Sequence, residues 1–209
     1  MMVLDDQRGK HHHRGYESLG FAGALLMDLF LQGNIRLKRN SIEGIDDKQT
    51  GDMYLDQIFE FIKKSKFKRS LFRWIDKLST YYKKYSYLYF ENLENKGFLI
   101  SKITSILKLK LFYLKDQNIK VQLLKKINNL GITNFKSNIE TVCLLVLLDI
   151  SKLINAYIPW SLRKQSRDLI SEILESEQID SSLRDLILRI RKEILNNVGA
   201  RIMSATNNI

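Results

Sequence analysis

Residues Leu19 to Leu37 read Leu-Gly-Phe-Ala-Gly-Ala-Leu-Leu-Met-Asp-Leu-Phe-Leu-Gln-Gly-Asn-Ile-Arg-Leu, a buried helix, its stop and a following strand in one run. Glycine inside a helix costs roughly 1 kcal/mol relative to alanine, so Gly20 and Gly23 mark a face where another backbone comes close. Gly33 suits the left-handed position after a helix end. The helix is expected over 17–32 and a strand over 34–38, with Ile35 and Leu37 on one face. A chain of 209 residues with a single proline, Pro159, leaves long helices uninterrupted and excludes a loop-rich or all-β fold. No stretch resembles a linker, and 44% hydrophobic residues can fill a sizeable core. The expected fold is mainly α: one globular helical domain over 1–209 around a buried central bundle. A short N-terminal strand pair and a β-hairpin near 98–114 complete it.

Periodicity places the remaining elements. Met1 to Leu4 suits a short strand, Asp5 to Gly15 a polar loop and Asn40 to Gln49 an acidic loop. Asp52 suits the N-cap of a helix whose stripe is Leu55, Ile58, Phe59 and Ile62. Lys63 to Arg73 is densely basic, with Phe67, Leu71 and Phe72 interleaved, and leads into a helix carrying Trp74 inward. A helix over 80–95 bears five tyrosines and stops at Gly97. Strands over 98–100 and 106–114 form the hairpin; in the second, Leu107, Leu109 and Leu111 alternate with lysines. A helix over 118–130 has Lys120, Lys125 and Lys126 on its solvent side. An all-round apolar helix over 138–157 is broken by Pro159, and amphipathic helices follow over 161–174 and 181–196.

The formal charge of +11 points to a polyanionic partner: an anionic membrane, nucleic acid or an acidic protein. No secretory signal is read, because Asp5, Asp6 and Arg8 precede any apolar region. The longest apolar run ends at Asp149, far short of the ~20 residues that span a bilayer, so membrane contact is expected to be peripheral and cytoplasmic. Cys143, the single cysteine, lies in an apolar run and reads as an inert core thiol. His11, His12 and His13 are adjacent and lack partners at metal-ligand spacing; they read as a solvated loop. Nucleotide-loop, nucleophile-elbow and zinc-protease motifs are absent, so neither an enzyme nor a cofactor is expected. One alternative is a winged helix with Lys108 and Lys110 on the wing, although the preceding helix lacks the Arg, Asn and Gln set that reads bases. Another is a scaffold that meets an acidic protein.

The opening helix, glycine and strand resemble the start of the Golgi phosphoprotein 3 family. Further on, Thr50-Gly-Asp-Met-Tyr-Leu-Asp56 resembles the family's TGD-x-x-L-D element, and Trp74-Ile-Asp-Lys-Leu-Ser79 its tryptophan helix. Leu93-Glu-Asn-Lys-Gly-Phe-Leu99 is similar to the L-x-x-K-G-x-L run before the family's hairpin. Residues 118–127 and 144–159 correspond to later helices, in order and spacing. The resemblance implies a mostly helical peripheral membrane protein that binds phosphatidylinositol 4-phosphate in a shallow basic pocket. In the family the hairpin serves membrane contact or self-association, and members link Golgi glycosyltransferases to the vesicle coat. Of the family's pocket residues, a tryptophan aligns with His13 here, and three cations align with Ala22, Lys83 and Ser86. Arg14 and Lys84 stand beside the matched positions. The resemblance thus implies a head-group site of His13, Arg14, Lys83 and Lys84. It implies a membrane or oligomer surface at Leu107, Leu109, Leu111 and Phe112, in a divergent or prokaryotic relative. In a eukaryote the location would be the cytosolic face of the Golgi.

Overall fold

Two helices of this chain end the same way. In the first, Gly33 (φ 78°) donates to the Phe30 carbonyl and Asn34 to that of Leu29, both at 2.9 Å. In the other, Gly97 (φ 79°) donates to Glu94 at 2.9 Å and Phe98 to Leu93 at 2.8 Å. This paired bonding satisfies the last carbonyls of a helix and turns the chain sharply, and it needs a left-handed residue where both glycines stand. Each glycine delivers the chain into an antiparallel hairpin.

The computed structural model describes residues 4–5, 8–11, 16–39, 41–45, 49–128, 139–177 and 179–206. In chain order its elements begin with β1 (Leu4–Asp5), β2 (Lys10–His11), α1 (Glu17–Leu31), β3 (Ile35–Lys38) and β4 (Ser41–Gly44). There follow α2 (Met53–Lys63), α3 (Leu71–Thr80), α4 (Tyr82–Asn95), β5 (Leu99–Ile103) and β6 (Lys110–Leu114). The chain continues with α5 (Asn118–Asn128), α6 (Ile139–Ile150), α7 (Ile154–Tyr157), α8 (Trp160–Glu175) and α9 (Ser181–Thr206). The strands pair as β1–β2, β3–β4 and β5–β6, all antiparallel. The fold is mainly α, as its sequence predicts.

The core is built around α1, which packs against α3, α6 and α9. Its glycines sit at the crossings. A β-carbon on Gly20 would lie 2.7 Å from Ser151 Cβ, and one on Gly23 would lie 3.1 Å from side chains of Leu147, Ile190 and Ile194. Trp74, on α3, is 1% exposed. Asp52 caps α2, its Oδ1 accepting from the backbone of Tyr54 (2.9 Å) and Leu55 (3.1 Å). Its Oδ2 accepts from Asn92 of α4 at 3.2 Å, and Asp56 Oδ1 accepts from the Thr50 N–H at 2.7 Å. The Thr50–Asp56 element is therefore a clamp between α2 and α4.

Several expectations need correction. The stretch read as an acidic loop holds β4: Ile42 faces Leu37, and Glu43 faces Arg36 across the hairpin. Glu43 lies within 3.6 Å of Arg36, Lys38 and Lys68. Burial pushes its carboxyl up, but these cations outweigh that and hold it below the usual range. Lys120 is not on the solvent side; it is 5% exposed, and its Nζ donates to the Leu4 carbonyl at 2.7 Å and lies 5.1 Å from the Tyr157 ring centre. The central helix breaks at Ile150 rather than at Pro159, through a turn in which Lys152 has φ 62°, just where Ser151 meets Gly20. α9 runs on to Thr206, past Gly199. Arg201 there bonds Asp76 (3.2 Å) and Ser79 (2.5 Å) of α3, contacts that local periodicity does not contain.

Candidate functional site

Helix α4 carries the candidate site along one side. Lys83, Tyr87, Glu91 and Glu94 recur at spacings of four, four and three, which aligns them on one stripe. The lower part of that stripe holds the β5–β6 hairpin. The Tyr87 ring stands 5.5 Å from that of Phe112, edge to face, and Lys110 Nζ pairs with Glu94 (2.8 Å) and Glu91 (3.4 Å). Ser101 Oγ donates to Glu94 at 2.5 Å. Hydrogen bonding from Lys110, then from Ser101, holds the Glu94 carboxyl below its usual range; Glu94 in turn raises Lys110. Lys110 is thus committed to α4 and is not a wing cation aimed at a phosphate backbone.

The hairpin differs from its expected shape. β6 begins at Lys110, and the run before it forms the tip, where Lys108 takes φ 50°. Thr104 closes the tip: its N–H donates to the Leu109 carbonyl (2.9 Å) and its Oγ1 accepts from the Leu109 N–H (3.0 Å). Four large apolar side chains stand out there, Ile103 at 68% exposure, Ile106 at 90%, Leu107 at 71% and Leu109 at 46%. Phe112 does not join them. It is 3% exposed and forms a small core with Leu4, Phe90, Leu99 and Leu114. Leu111 points to the opposite side of the strand from Phe112, as strand geometry requires, and is half-buried.

Of the residues expected at a head-group site, Lys83 and Lys84 are exposed at the start of α4. Lys84 Nζ lies 5.7 Å from the centre of the Tyr85 ring. His13 and Arg14 lie outside the described residues. Ala22 and Ser86, the positions that the resemblance matched to cations, are both fully buried. Ser86 Oγ donates to the Tyr82 carbonyl at 2.5 Å, so neither position opens onto a ligand. The α4 tyrosines are packing residues: Tyr82 and Tyr89 flank Phe21 of α1 at 5.4 and 5.7 Å. Burial, reinforced by nearby carboxylates, raises both phenols beyond their ordinary range.

Among the described residues no group of His, Cys, Asp and Glu is placed to hold a metal ion. Burial, with smaller contributions from Asp28 and Glu140, pushes the Cys143 thiol up to about 12. Since the thiolate is the reactive form, alkylation of the native protein at pH 8 should run on the order of a thousandfold slower than that of the unfolded chain. Comparable rates, followed with a maleimide, would remove Cys143 from the core.

The model of the family described as Golgi phosphoprotein 3 (GPP34) matches residues 1–190. No curated protein matches this chain.

Proposed function

The chain belongs to the Golgi phosphoprotein 3 (GPP34) family, and from that premise we propose that it is a non-enzymatic peripheral membrane protein acting as one domain over 1–209. It binds anionic phospholipid head groups, phosphatidylinositol 4-phosphate among them, on a cytosolic membrane face. No helix among the described residues is long and apolar enough to cross a membrane. The observation that carries the reading is the hairpin tip, where Ile106 and Leu107 stand out from a turn flanked by Lys102 and Lys108. Burying a Leu or Ile side chain is worth about 1.5–3 kcal/mol, and a lysine near an anionic surface about 1 kcal/mol. An apolar tip beside cations therefore suits an interface between head groups and acyl chains. The same tip would serve self-association of two copies.

Lys83 shares the α4 stripe that holds the hairpin, about 12 Å along the helix axis from Glu91. With Lys84 it supplies charge attraction to the same surface. The Lys83→Glu/Lys84→Glu variant should lose roughly 2 kcal/mol, about thirtyfold in affinity, for anionic vesicles at physiological salt. The loss should shrink in 1 M salt, where screening acts within ~3 Å. Co-sedimentation with phosphatidylcholine vesicles, alone or containing phosphatidylserine or phosphatidylinositol 4-phosphate, tests both points. Undiminished pelleting of the variant would remove Lys83 and Lys84 from the site. A preference for the phosphoinositide would show that specificity survives the sealed positions Ala22 and Ser86.

A further inference from the structure

The basic run after α2 has no part in the lipid face just described, yet it folds around a cavity. Residues 64–70 turn the chain from α2 into α3, with Ser65 Oγ donating to the Phe67 carbonyl at 2.9 Å and Ser70 capping α3. The turn and the facing sides of the two helices enclose about 250 Å³. Lys64, Lys66, Arg69 and Lys77 line it, and its lining includes no carboxylate among the described residues. Phe61 and Trp74 form its apolar wall.

The charges are incompletely matched. Lys64 pairs with Glu60 at 3.1 Å, and Lys77 Nζ lies 5.1 Å from the Phe61 ring centre. The Arg69 guanidinium stands 5.5 Å from the Trp74 ring centre, and neither Arg69 nor Lys66 pairs with a carboxylate among the described residues. Arg69 Nε and Trp74 Nε1 are closed off from solvent without a hydrogen-bond acceptor among the described residues. The cavity itself is lined by Lys66, Arg69 and Lys77, so an anion with several oxygens would meet three cations there.

We propose that the α2–α3 elbow is a binding site for a phosphomonoester group, held by Lys66, Arg69 and Lys77 against the Trp74 wall. Such a group brings up to two negative charges and three strong acceptor oxygens, which a guanidinium fork and two ammonium groups complement. The volume equals roughly eight waters and falls below the usual range for whole organic ligands. It therefore has room for a phosphate with a small substituent. The source is a lipid head group or a free phosphate. The Phe61 ring lies 5.9 Å from that of Tyr81, at the start of α4, so the elbow adjoins the end of α4 that carries Lys83.

Trp74 reports on its own wall once Trp160, the other tryptophan and 83% exposed on α8, is replaced by Phe. In that background, inorganic phosphate at constant ionic strength should change Trp74 emission saturably. Lys66→Gln/Arg69→Gln should raise the half-saturating concentration at least tenfold, and by more than Lys83→Glu/Lys84→Glu raises it. Because Arg69 is partly enclosed, thermal melts accompany each variant; the exposed Lys66→Gln alone should still weaken the response severalfold. A second arm replaces free phosphate with phosphatidylcholine vesicles containing phosphatidic acid. A response in both arms assigns the site to the phosphate group itself, and a response to the vesicles alone assigns it to a lipid phosphate. No saturable response in either arm, or one that the double variant retains, overturns the site. Loss of vesicle pelleting in Lys83→Glu/Lys84→Glu with a saturable phosphate response separates this site from the lipid face.

Discussion

Replacing Ile106 and Leu107 together by glutamate should abolish pelleting with anionic vesicles while leaving the melting temperature within a degree or two. Both side chains stand in solvent at 90% and 71% exposure, so the folded protein gains little from them. Inserted into a bilayer interface, each would contribute about 1.5–3 kcal/mol, so their joint removal costs at least ~3 kcal/mol, more than a hundredfold in affinity. The new carboxylates add repulsion from the head groups and from the negative surface potential. Phe112→Ala provides the contrast. That ring fills the small core beneath the hairpin, and truncating a buried Phe costs about 3–5 kcal/mol, so this variant should melt early. Unchanged vesicle binding by the tip variant, with an unchanged melt, would refute the insertion reading. Retained vesicle binding with loss of a self-associated species in ultracentrifugation would assign the tip to a second copy instead.

What the sequence carried well is local chemistry with a strong physical cause. Gly33 and Gly97 announce helix ends because only a residue free of a β-carbon sits easily at φ near 78°. Asp52 announces a helix start because its carboxylate reaches two unpaired N–H groups. The misreadings arose where tertiary contacts decide. The alternation from Leu107 to Leu111 has the period of a strand, but a period cannot reveal that the chain reverses at Lys108 and leaves the leucines in solvent. Lys120 has the spacing of a surface lysine, and only β1, 116 residues earlier, supplies the carbonyl that draws it inside. Glu43 looked like loop acidity until β3 placed Arg36 opposite it. The elbow was visible as a basic run with aromatics, yet its character as a cavity depends on Lys77 arriving from the next helix. The family resemblance pointed to Lys83, which stands on the surface. It could not show that Ala22 and Ser86 face inward, because burial belongs to the packing of helices and not to any motif.

Gly20→Ala should destabilise the protein by about 1–2 kcal/mol, although alanine is the better helix former by roughly 1 kcal/mol. The added carbon would stand 2.7 Å from Ser151 Cβ, an atom fixed to the backbone where the chain leaves α6, so it cannot move aside without shifting the turn. Overpacking of this kind costs typically 1–3 kcal/mol, and Gly20→Leu should cost more still because its whole side chain meets that turn. Gly23→Ala should behave differently. Its neighbours at 3.1 Å are the methyl ends of Leu147, Ile190 and Ile194, which can yield by a few tenths of an ångström while the helix gains its propensity. That variant should fall within about 1 kcal/mol of wild type. The cause at Gly20 is checked by a double-mutant cycle with Ser151→Gly, which removes the opposing carbon. Denaturant melts of the two single variants and the double should show a positive coupling of about 1 kcal/mol, the Gly20→Ala penalty largely vanishing once Ser151 is gone. Additive penalties would mean that α1 and the end of α6 do not meet at Gly20, and the central crossing of this fold would have to be drawn elsewhere.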